Sequence, residues 1–327
     1  MIGALYMQIY SNVLLSTILW YQIGGVAKTV IDVASKEDLY EALAYVKENK
    51  ISDVFILGLG SNLLFSDEGY DGVIIRFLMQ EDGQGVRLLE DNIVEAFAGE
   101  FLDSVIQSQF ENGLVGLEWA GGLPGTVGAA VRGNVGAFGG EIKDIFVKAH
   151  CIRLAENGDY EEITLNRDEM EFSYRASRIK SEHLIVVSAQ FQLREGSQEE
   201  LLSAHEKYFE NITYRQDKHP LDYPNCGSVF KNISKPEEVA RILESWGDIK
   251  ELVNDKWHGK VSMGYVIDRL GLKGREIGGA QISEKHQNFM VNKGGAKASD
   301  VKNLIVEVEE EMQESFGITP EVEIEIV

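Results

Sequence analysis

Apolar residues recur along the chain at a period of about 3.6 in some stretches and about two in others. Ser35-Lys-Glu-Asp38 is a capping-box pattern, and Leu39, Leu43 and Val46 follow at helical spacing, so a helix begins there. Val54-Phe55-Ile56-Leu57 is a continuous apolar run, which predicts a strand buried on both faces, and it leads into Gly58-Leu-Gly60-Ser61-Asn62. Val73-Ile74-Ile75 predicts another strand; Phe101, Leu102, Val105 and Ile106 predict a helix stopped at Asn112-Gly113. Ile145 to Leu154 and Glu161 to Leu165 flank the hairpin signal Asn157-Gly158, and Leu184 to Leu193 predicts a further strand.

A helical stretch from Glu199 to Phe209 leads to a polar connector around Asn211 to His219, which marks a domain boundary. Val301, Leu304, Ile305, Val308 and Met312 share one face of a helix over 301–316, with Ser299 before it and Gly317 as its stop. Glu321 to Ile326 alternates, so a final strand would carry Glu321, Glu323 and Glu325 on one face. The apolar stretch from Met1 to Tyr21 has no basic residue before Lys28 and contains Gln8, Ser11, Asn12 and Ser16. It reads as buried strands and a turn rather than a signal or membrane span, with Met1 or Met7 as the start.

Charge narrows the function. The 327 residues hold 31 Lys+Arg against 53 Asp+Glu, a net charge of -22, which argues against a partner that is nucleic acid or an anionic membrane. Hydrophobic residues make up 44% and charged residues 26%, the balance of a soluble chain of about two domains. Two cysteines, Cys151 and Cys226, cannot build a disulfide framework, and no Cys/His cluster has metal-ligand spacing, so a reducing cytoplasm fits and no metal is expected. The 33 glycines exceed the usual share and draw attention to backbone-lined loops.

Two glycine-rich stretches dominate: Leu57 to Leu64, and Ala120 to Ala129 continuing through Asn134-Val-Gly136-Ala-Phe-Gly139. The first lacks the third glycine of a dinucleotide fingerprint, where Leu63 stands, and neither has the Gly-Lys-Ser/Thr of a P-loop. Glycine lets backbone N–H groups approach an oxyanion, and Ser61, Asn62 and Thr126 add uncharged donors. Each alone reads equally as a tight turn; two together favour a diphosphate ligand. Arg175 offers a planar fork for a carboxylate or a plain surface charge, and Ser228 follows Gly227 as a presented hydroxyl or a turn residue. Ser228 lacks a Gly-x-Ser-x-Gly setting, and Cys226 lacks an activating neighbour and reads as a small packed residue. Lys285, His286 and Asn288 could meet an anionic ligand or form an exposed loop; His205-Glu206 has no second His at metalloprotease spacing.

In order and spacing, Gly24-Gly25, Leu57 to Leu64, Leu123-Pro124-Gly125-Thr126-Val-Gly128, Asn134 to Gly139, Tyr174-Arg175, Gly227-Ser-Val-Phe-Lys-Asn232 and Ile277-Gly-Gly-Ala-Gln281 resemble the UDP-N-acetylenolpyruvoylglucosamine reductase family over nearly the whole chain. The resemblance implies an α+β fold: an FAD-binding domain of the vanillyl-alcohol-oxidase (PCMH) type over 1–212, in subdomains of about 1–80 and 81–212, and an α+β substrate domain over 213–327. It implies bound FAD at Gly58, Gly60, Ser61, Asn62, Gly122, Pro124, Gly125, Thr126, Gly128, Asn134 and Gly136, with the flavin facing the interdomain cleft. NADPH is the implied co-substrate and a UDP-sugar the implied substrate, in a cytoplasmic monomer. The family's catalytic arginine, serine and glutamate fall on Arg175, Ser228 and Glu323. Spacing from Gly317 selects Glu323, whereas the Pro-Glu-Val letters select Glu321, and alternation alone leaves both open. Arg215 and Lys218, in the family's Arg-x-x-Lys-x-Pro, would meet the UDP part with Asn232, joined by Tyr174, Lys285 and His286.

The chain departs from the family in lacking one subclass's tyrosine-bearing insertion between Arg175 and Ser228, which resembles the second subclass, and in having no glycine after the terminal strand. The implied reaction reduces an enolpyruvyl sugar nucleotide, with hydride delivered to the vinyl carbon and a proton from Ser228. A related oxygen-using FAD oxidase and an inactive flavin or UDP-sugar binding module are the alternatives.

Overall fold

The computed structural model describes residues 7–78 and 85–327. The chain divides into two units, each with its own apolar core. The first comprises residues up to Val13, Ala27–Leu59 and Tyr70–Arg215; the second comprises Leu14–Val26, Gly60–Gly69 and Gln216–Val327.

The first unit holds two sheets. In one, the strands run in the order Gln8–Leu14, Val26–Val33, Tyr70–Phe77, Val54–Leu57, and the last three are parallel. The helix Lys36–Glu48 begins at Ser35, whose hydroxyl accepts from the Asp38 N–H, and it packs Leu39, Leu43 and Val46 on Ile31, Val33 and Ile75. The apolar run Val54–Leu57 does form a strand, but at the sheet edge, so only Leu57 is buried and the other three are half-exposed. The N-terminal strand departs from expectation in the same way: as the opposite edge it leaves six of the seven residues of Gln8–Leu14 exposed. A 3₁₀ turn at Leu15–Thr17 follows, and Tyr21 and Ile23 are buried in the second unit's core; residues 1–6 lie outside the described residues.

The second sheet is antiparallel, in the order Tyr160–Asn166, Phe146–Leu154, Ile185–Gln192, Ile93–Phe97, Val86–Leu88. The helices Leu102–Glu111 and Val127–Arg132 bury Val105, Ile106, Val127 and Val131 in the same core. The expected connector at 211–219 is absent, because one helix runs unbroken from Gln198 to Lys218. Nothing in that stretch breaks a helix, and Ala204, Tyr208, Asn211 and Arg215 form one buried face at helical spacing. Asn211 donates to the carbonyls of Glu118 and Trp119, and Arg215 to that of Gly121, so polar letters here line an interior face.

The second unit is built on an antiparallel sheet in the order Asn225–Ser228, Phe289–Asn292, Ala280–Ile282, Glu276–Ile277. The C-terminal helix Ala298–Phe316 buries Val301, Leu304, Ile305, Val308 and Met312 against it, and Gly317 ends the helix at φ 64°. Its start is not set by Ser299. The carboxylate of Asp67 accepts from the N–H groups of Ala298 (2.7 Å) and Ser299 (3.0 Å), capping from 231 residues away in sequence. These bonds hold the Asp67 carboxyl below its ordinary range although burial pushes the other way.

The last residues are extended but do not form one alternating strand. Val322 bridges Phe230, and the chain then changes partner so that Glu325–Ile326 lies parallel to Leu63–Leu64. That switch breaks the expected single face of carboxylates: Glu321 is exposed, whereas Glu323 and Glu325 are half-buried.

Candidate active site

In the first unit the two glycine stretches meet. A Cβ on Gly58 would lie 2.7 Å from the Thr126 hydroxyl oxygen, so the close approach requires glycine. Thr126 is itself buried and caps the helix Val127–Arg132 by accepting from the Ala129 N–H. Gly128 packs on Ala98, where a Cβ would come within 2.9 Å of the Ala98 Cβ. Of the expected cofactor residues here, Gly58, Thr126 and Gly128 therefore shape the loop, and Gly122, Pro124 and Gly125 present it. Gly122 and Pro124 are exposed, and no heavy atom lies within 4 Å of a Cβ placed on Gly125. This open backbone fits the approach of a bulky anion.

Asn134 was expected to touch a cofactor; the structure places it instead in the interior. Its amide donates to Glu141 Oε2 and to the Ser173 carbonyl, both at 3.0 Å, and accepts from the Lys143 N–H at 3.0 Å. The side chain is fully buried, so an internal clamp uses the polar groups that a ligand would need. What the clamp holds is Arg175. Ser173 and Ala176 exchange backbone hydrogen bonds around a tight turn whose second central residue, Arg175, has φ 57°. That left-handed conformation costs a non-glycine residue about 1–2 kcal/mol. The guanidinium donates to the carbonyls of Gly136 (2.6 Å) and Asn134 (3.4 Å) and lies over the Tyr174 ring at 5.2 Å. Burial pushes the Glu141 carboxyl up, but hydrogen bonds from Lys143 and Asn134, with the charges of Lys143 and Arg175, bring it below its ordinary value.

Arg215 ends this unit. The residue is 8% exposed; its guanidinium donates from Nε to the Gly121 carbonyl at 3.1 Å and lies 5.1 Å over the Phe138 ring. Burial pushes its pKa down to about 10, with the nearby Tyr214 opposing.

In the second unit, Ser228 sits at the end of a strand with an irregular register between Asn225 and Ser228. The Asn225 side chain accepts from the Gly227 N–H at 3.0 Å, and Gly227 turns at φ 81°, which aims the backbone through Ser228. Ser61 of the first glycine stretch is the nearest neighbour of Gly227, its carbonyl 3.8 Å from a Cβ placed there. Gly60 turns at φ 71°, and the Asn62 side chain donates to the Glu323 carbonyl at 3.4 Å. The Glu323 N–H donates to the Val229 carbonyl at 2.7 Å. Ser61, Asn62, Ser228 and Glu323 are therefore gathered on one patch of this unit.

Glu321 is engaged elsewhere, in an ion pair with Lys231. Asn232 accepts from the Met263 N–H at 3.1 Å at the start of the helix Met263–Arg269. Lys285 donates to the Gln216 carbonyl at 2.6 Å and so caps the end of the long helix, a different duty from the one expected of it. Lys218 is exposed. His286 packs among His219 and Phe289, at 5.5 and 4.8 Å between ring centroids, and burial lowers its pKa. Its Nδ1 accepts from the Asn288 N–H, which leaves Nε2 as the protonated nitrogen. Asn288, read as a ligand contact or loop residue, is buried and binds both backbone groups of Phe230.

Both cysteine thiols are buried and pushed up to about 12, so neither is a nucleophile. Among the described residues no group of three or more His, Cys, Asp or Glu could hold a metal ion, and no helix is long and apolar enough to cross a membrane. Sequence reasoning missed Glu141, Lys143 and Asn225. The Asn-x-Gly spacing at 225–227 was a readable turn signal; the Glu141 contact depends on a hairpin pairing Gly136 with Glu141 and had no local signature.

Two family models match the chain: an FAD binding domain over residues 27–163, and the C-terminal domain of UDP-N-acetylenolpyruvoylglucosamine reductase over residues 219–327. The reductase of that name from Caldicellulosiruptor bescii is 38% identical over 307 residues, covering 94% of this chain and 87% of the relative. The one from Gloeobacter violaceus is 32% identical, covering 96% and 95%. The crystal structure of UDP-N-acetylenolpyruvylglucosamine reductase from Thermus caldophilus aligns over 98% of this chain and 99% of its own, with a TM-score of 0.73 and 29% identity.

Proposed function

The chain belongs to the UDP-N-acetylenolpyruvoylglucosamine reductase family, and from that premise we propose how its own residues serve the reaction. It is an FAD-dependent oxidoreductase that uses NADPH to reduce UDP-N-acetylglucosamine enolpyruvate to UDP-N-acetylmuramate, a step of peptidoglycan precursor synthesis. When bound, the flavin supplies the hydride, taken from NADPH, to the vinyl carbon of the substrate. The backbone of Gly122 to Gly125 is open enough to hold its diphosphate.

Hydride arriving at the vinyl carbon places negative charge on the neighbouring carbon and its carboxylate. Catalysis then needs a cation for the carboxylate, a polar group for the enolate oxygen and a proton for the carbon. Arg175 serves as the cation. Its two carbonyl contacts fix the guanidinium plane, and the planar fork suits a carboxylate. Ser228 donates the proton from Oγ to the carbanionic carbon. A hydroxyl is a weak acid, so this transfer relies on the strong basicity of that carbon and on exact placement of Oγ, which Asn225 and Gly227 provide. Glu323 polarises the enolic carboxyl; its backbone bond to Val229 keeps it beside Ser228, while Glu321 pairs with Lys231. That gathering of Ser228 and Glu323 is the observation that supports these roles best.

The UDP part meets Lys218 and Asn232, with His286 offering Nε2–H and Tyr174 standing beside Arg175. The net charge of -22 supports the absence of a nucleic-acid or membrane partner, and the two free cysteines suit a monomer in a reducing cytoplasm. FAD binding falls to the residues over 1–212 and substrate binding to those over 213–327, although Leu14–Val26 and Gly60–Gly69 pack in the second unit.

The test separates the two half-reactions. Purified protein should be yellow, bleach with NADPH and recover colour with the enolpyruvyl substrate. Ser228→Ala should bleach normally but lose substrate-driven recovery in stopped-flow absorbance. A fully active Ser228→Ala enzyme would remove the proton-donor role, and fast recovery in air with no response to the substrate would favour an oxidase.

A further inference from the structure

Arg215 carries the family's substrate letters, yet every contact of its side chain described above lies within the first unit. Arg215 as a residue is more than nine-tenths buried, and its guanidinium has no carboxylate partner among the described residues. It packs against Gly121 and Gly122, with Cδ 3.1 Å from a Cβ placed on Gly122, and stacks on Phe138, which meets Tyr214 edge-on at 5.4 Å. One carbonyl and one aromatic face offset only part of the desolvation of a full charge. A buried guanidinium kept without a counter-charge is an anion receptor, and its planar fork suits phosphate oxygens. Burial that lowers its pKa only to about 10 leaves it protonated at neutral pH, so the charge is present to be used.

The backbone under it belongs to the stretch whose Gly125 faces open space. Lys218, three residues on, belongs to the second unit and is exposed, so the two basic letters of Arg-x-x-Lys have different surroundings. Arg215 also lies outside both spans matched by the family models. We infer that Arg215 is a receptor for the diphosphate of the FAD cofactor, acting with the Gly121 to Gly125 backbone, and is not a contact to the UDP-sugar. The inference rests on the flavoprotein reading above.

Flavin-free full-length protein, wild type and Arg215→Met and Arg215→Lys, would be titrated with FAD and with riboflavin, following the quenching of flavin fluorescence. Losing charge-assisted bonds to phosphate should raise the FAD dissociation constant of Arg215→Met on the order of 10–100-fold. Riboflavin, which has no phosphate, should bind both proteins alike, and Arg215→Lys should recover part of the FAD affinity. At saturating FAD, the KM for the enolpyruvyl substrate should stay at its wild-type value. Unchanged FAD affinity with a raised substrate KM would return Arg215 to the UDP-sugar and overturn the inference. Equal losses for FAD and riboflavin would reduce it to a packing residue. If Arg215→Met fails to fold, the same comparison is made with Arg215→Lys, where FAD affinity equal to wild type overturns it. Wild-type protein that binds no flavin would bring down the flavoprotein reading itself, a result separable from a wild type that binds FAD as tightly as its variants.

Discussion

Replacing Asn134 with Ala separates a structural clamp from a cofactor ligand. The amide makes three part-buried hydrogen bonds at 3.0 Å, two of them to backbone groups, the Ser173 carbonyl and the Lys143 N–H. Truncation leaves the Lys143 N–H without its partner, at about 1–3 kcal/mol, while the Ser173 carbonyl keeps the Ala176 N–H and Glu141 keeps the Lys143 ammonium at 2.7 Å. A loss of about 2 kcal/mol follows, a sizeable part of the roughly 5–15 kcal/mol by which a folded protein is stable. The damage should reach the chemistry through Arg175, whose turn begins at Ser173 and whose guanidinium binds the Asn134 and Gly136 carbonyls. A displacement of about 1 Å at a positioned group can cost on the order of 100-fold. Asn134→Ala should therefore lower kcat/KM for the enolpyruvyl substrate by about 10–100-fold while FAD affinity stays unchanged. Urea unfolding, steady-state kinetics and flavin titration read these three quantities. A variant as stable as wild type that has lost FAD would refute the clamp and restore Asn134 as a cofactor contact.

The two terminal glutamates should part company: Glu321→Gln breaks an exposed ion pair with Lys231 and should cost under about 1 kcal/mol with near-normal turnover. Glu323→Gln should slow substrate-driven flavin reoxidation by about 100-fold or more, and the reverse ranking would move the role to Glu321. Burial lowers the His286 pKa, so its contribution to stability is complete above the ordinary histidine value of 6.5 and is lost as pH falls through the folded value. Unfolding free energies measured from about pH 7 to about pH 5 should fall more steeply for wild type than for His286→Gln, and parallel curves would count against its half-buried, neutral state.

The letters announced regular elements wherever one side chain decided the matter: Ser35 as a cap, Gly317 as a stop, the apolar face at Val301, Leu304 and Val308. They misled wherever a polar residue was satisfied by distant backbone. Asn211 and Arg215 looked like a solvated connector because sequence does not tell whether a polar group faces water or a carbonyl. Asp67 could not be read as the cap of a helix 231 positions away, since only the fold brings them together. The site divides along the same line. The turn at Gly227 ahead of Ser228 was legible from its glycine, whereas the internal bonds that engage Asn134 and Lys285, both expected at ligands, had no local signature. Val54–Leu57 reads as a central strand by composition alone, because strand order is a property of the whole sheet.

The state of the two thiols opens a practical route. A maleimide needs a thiolate it can reach, and Cys151 and Cys226 offer neither the charge nor the access. The natural chain is thus a silent background for labelling, with no need to remove its own cysteines first. One cysteine introduced at an exposed position such as Lys218 would carry a fluorophore or spin label alone, and a second in the other unit would turn the pair into a ruler for following the protein as nucleotides arrive and leave.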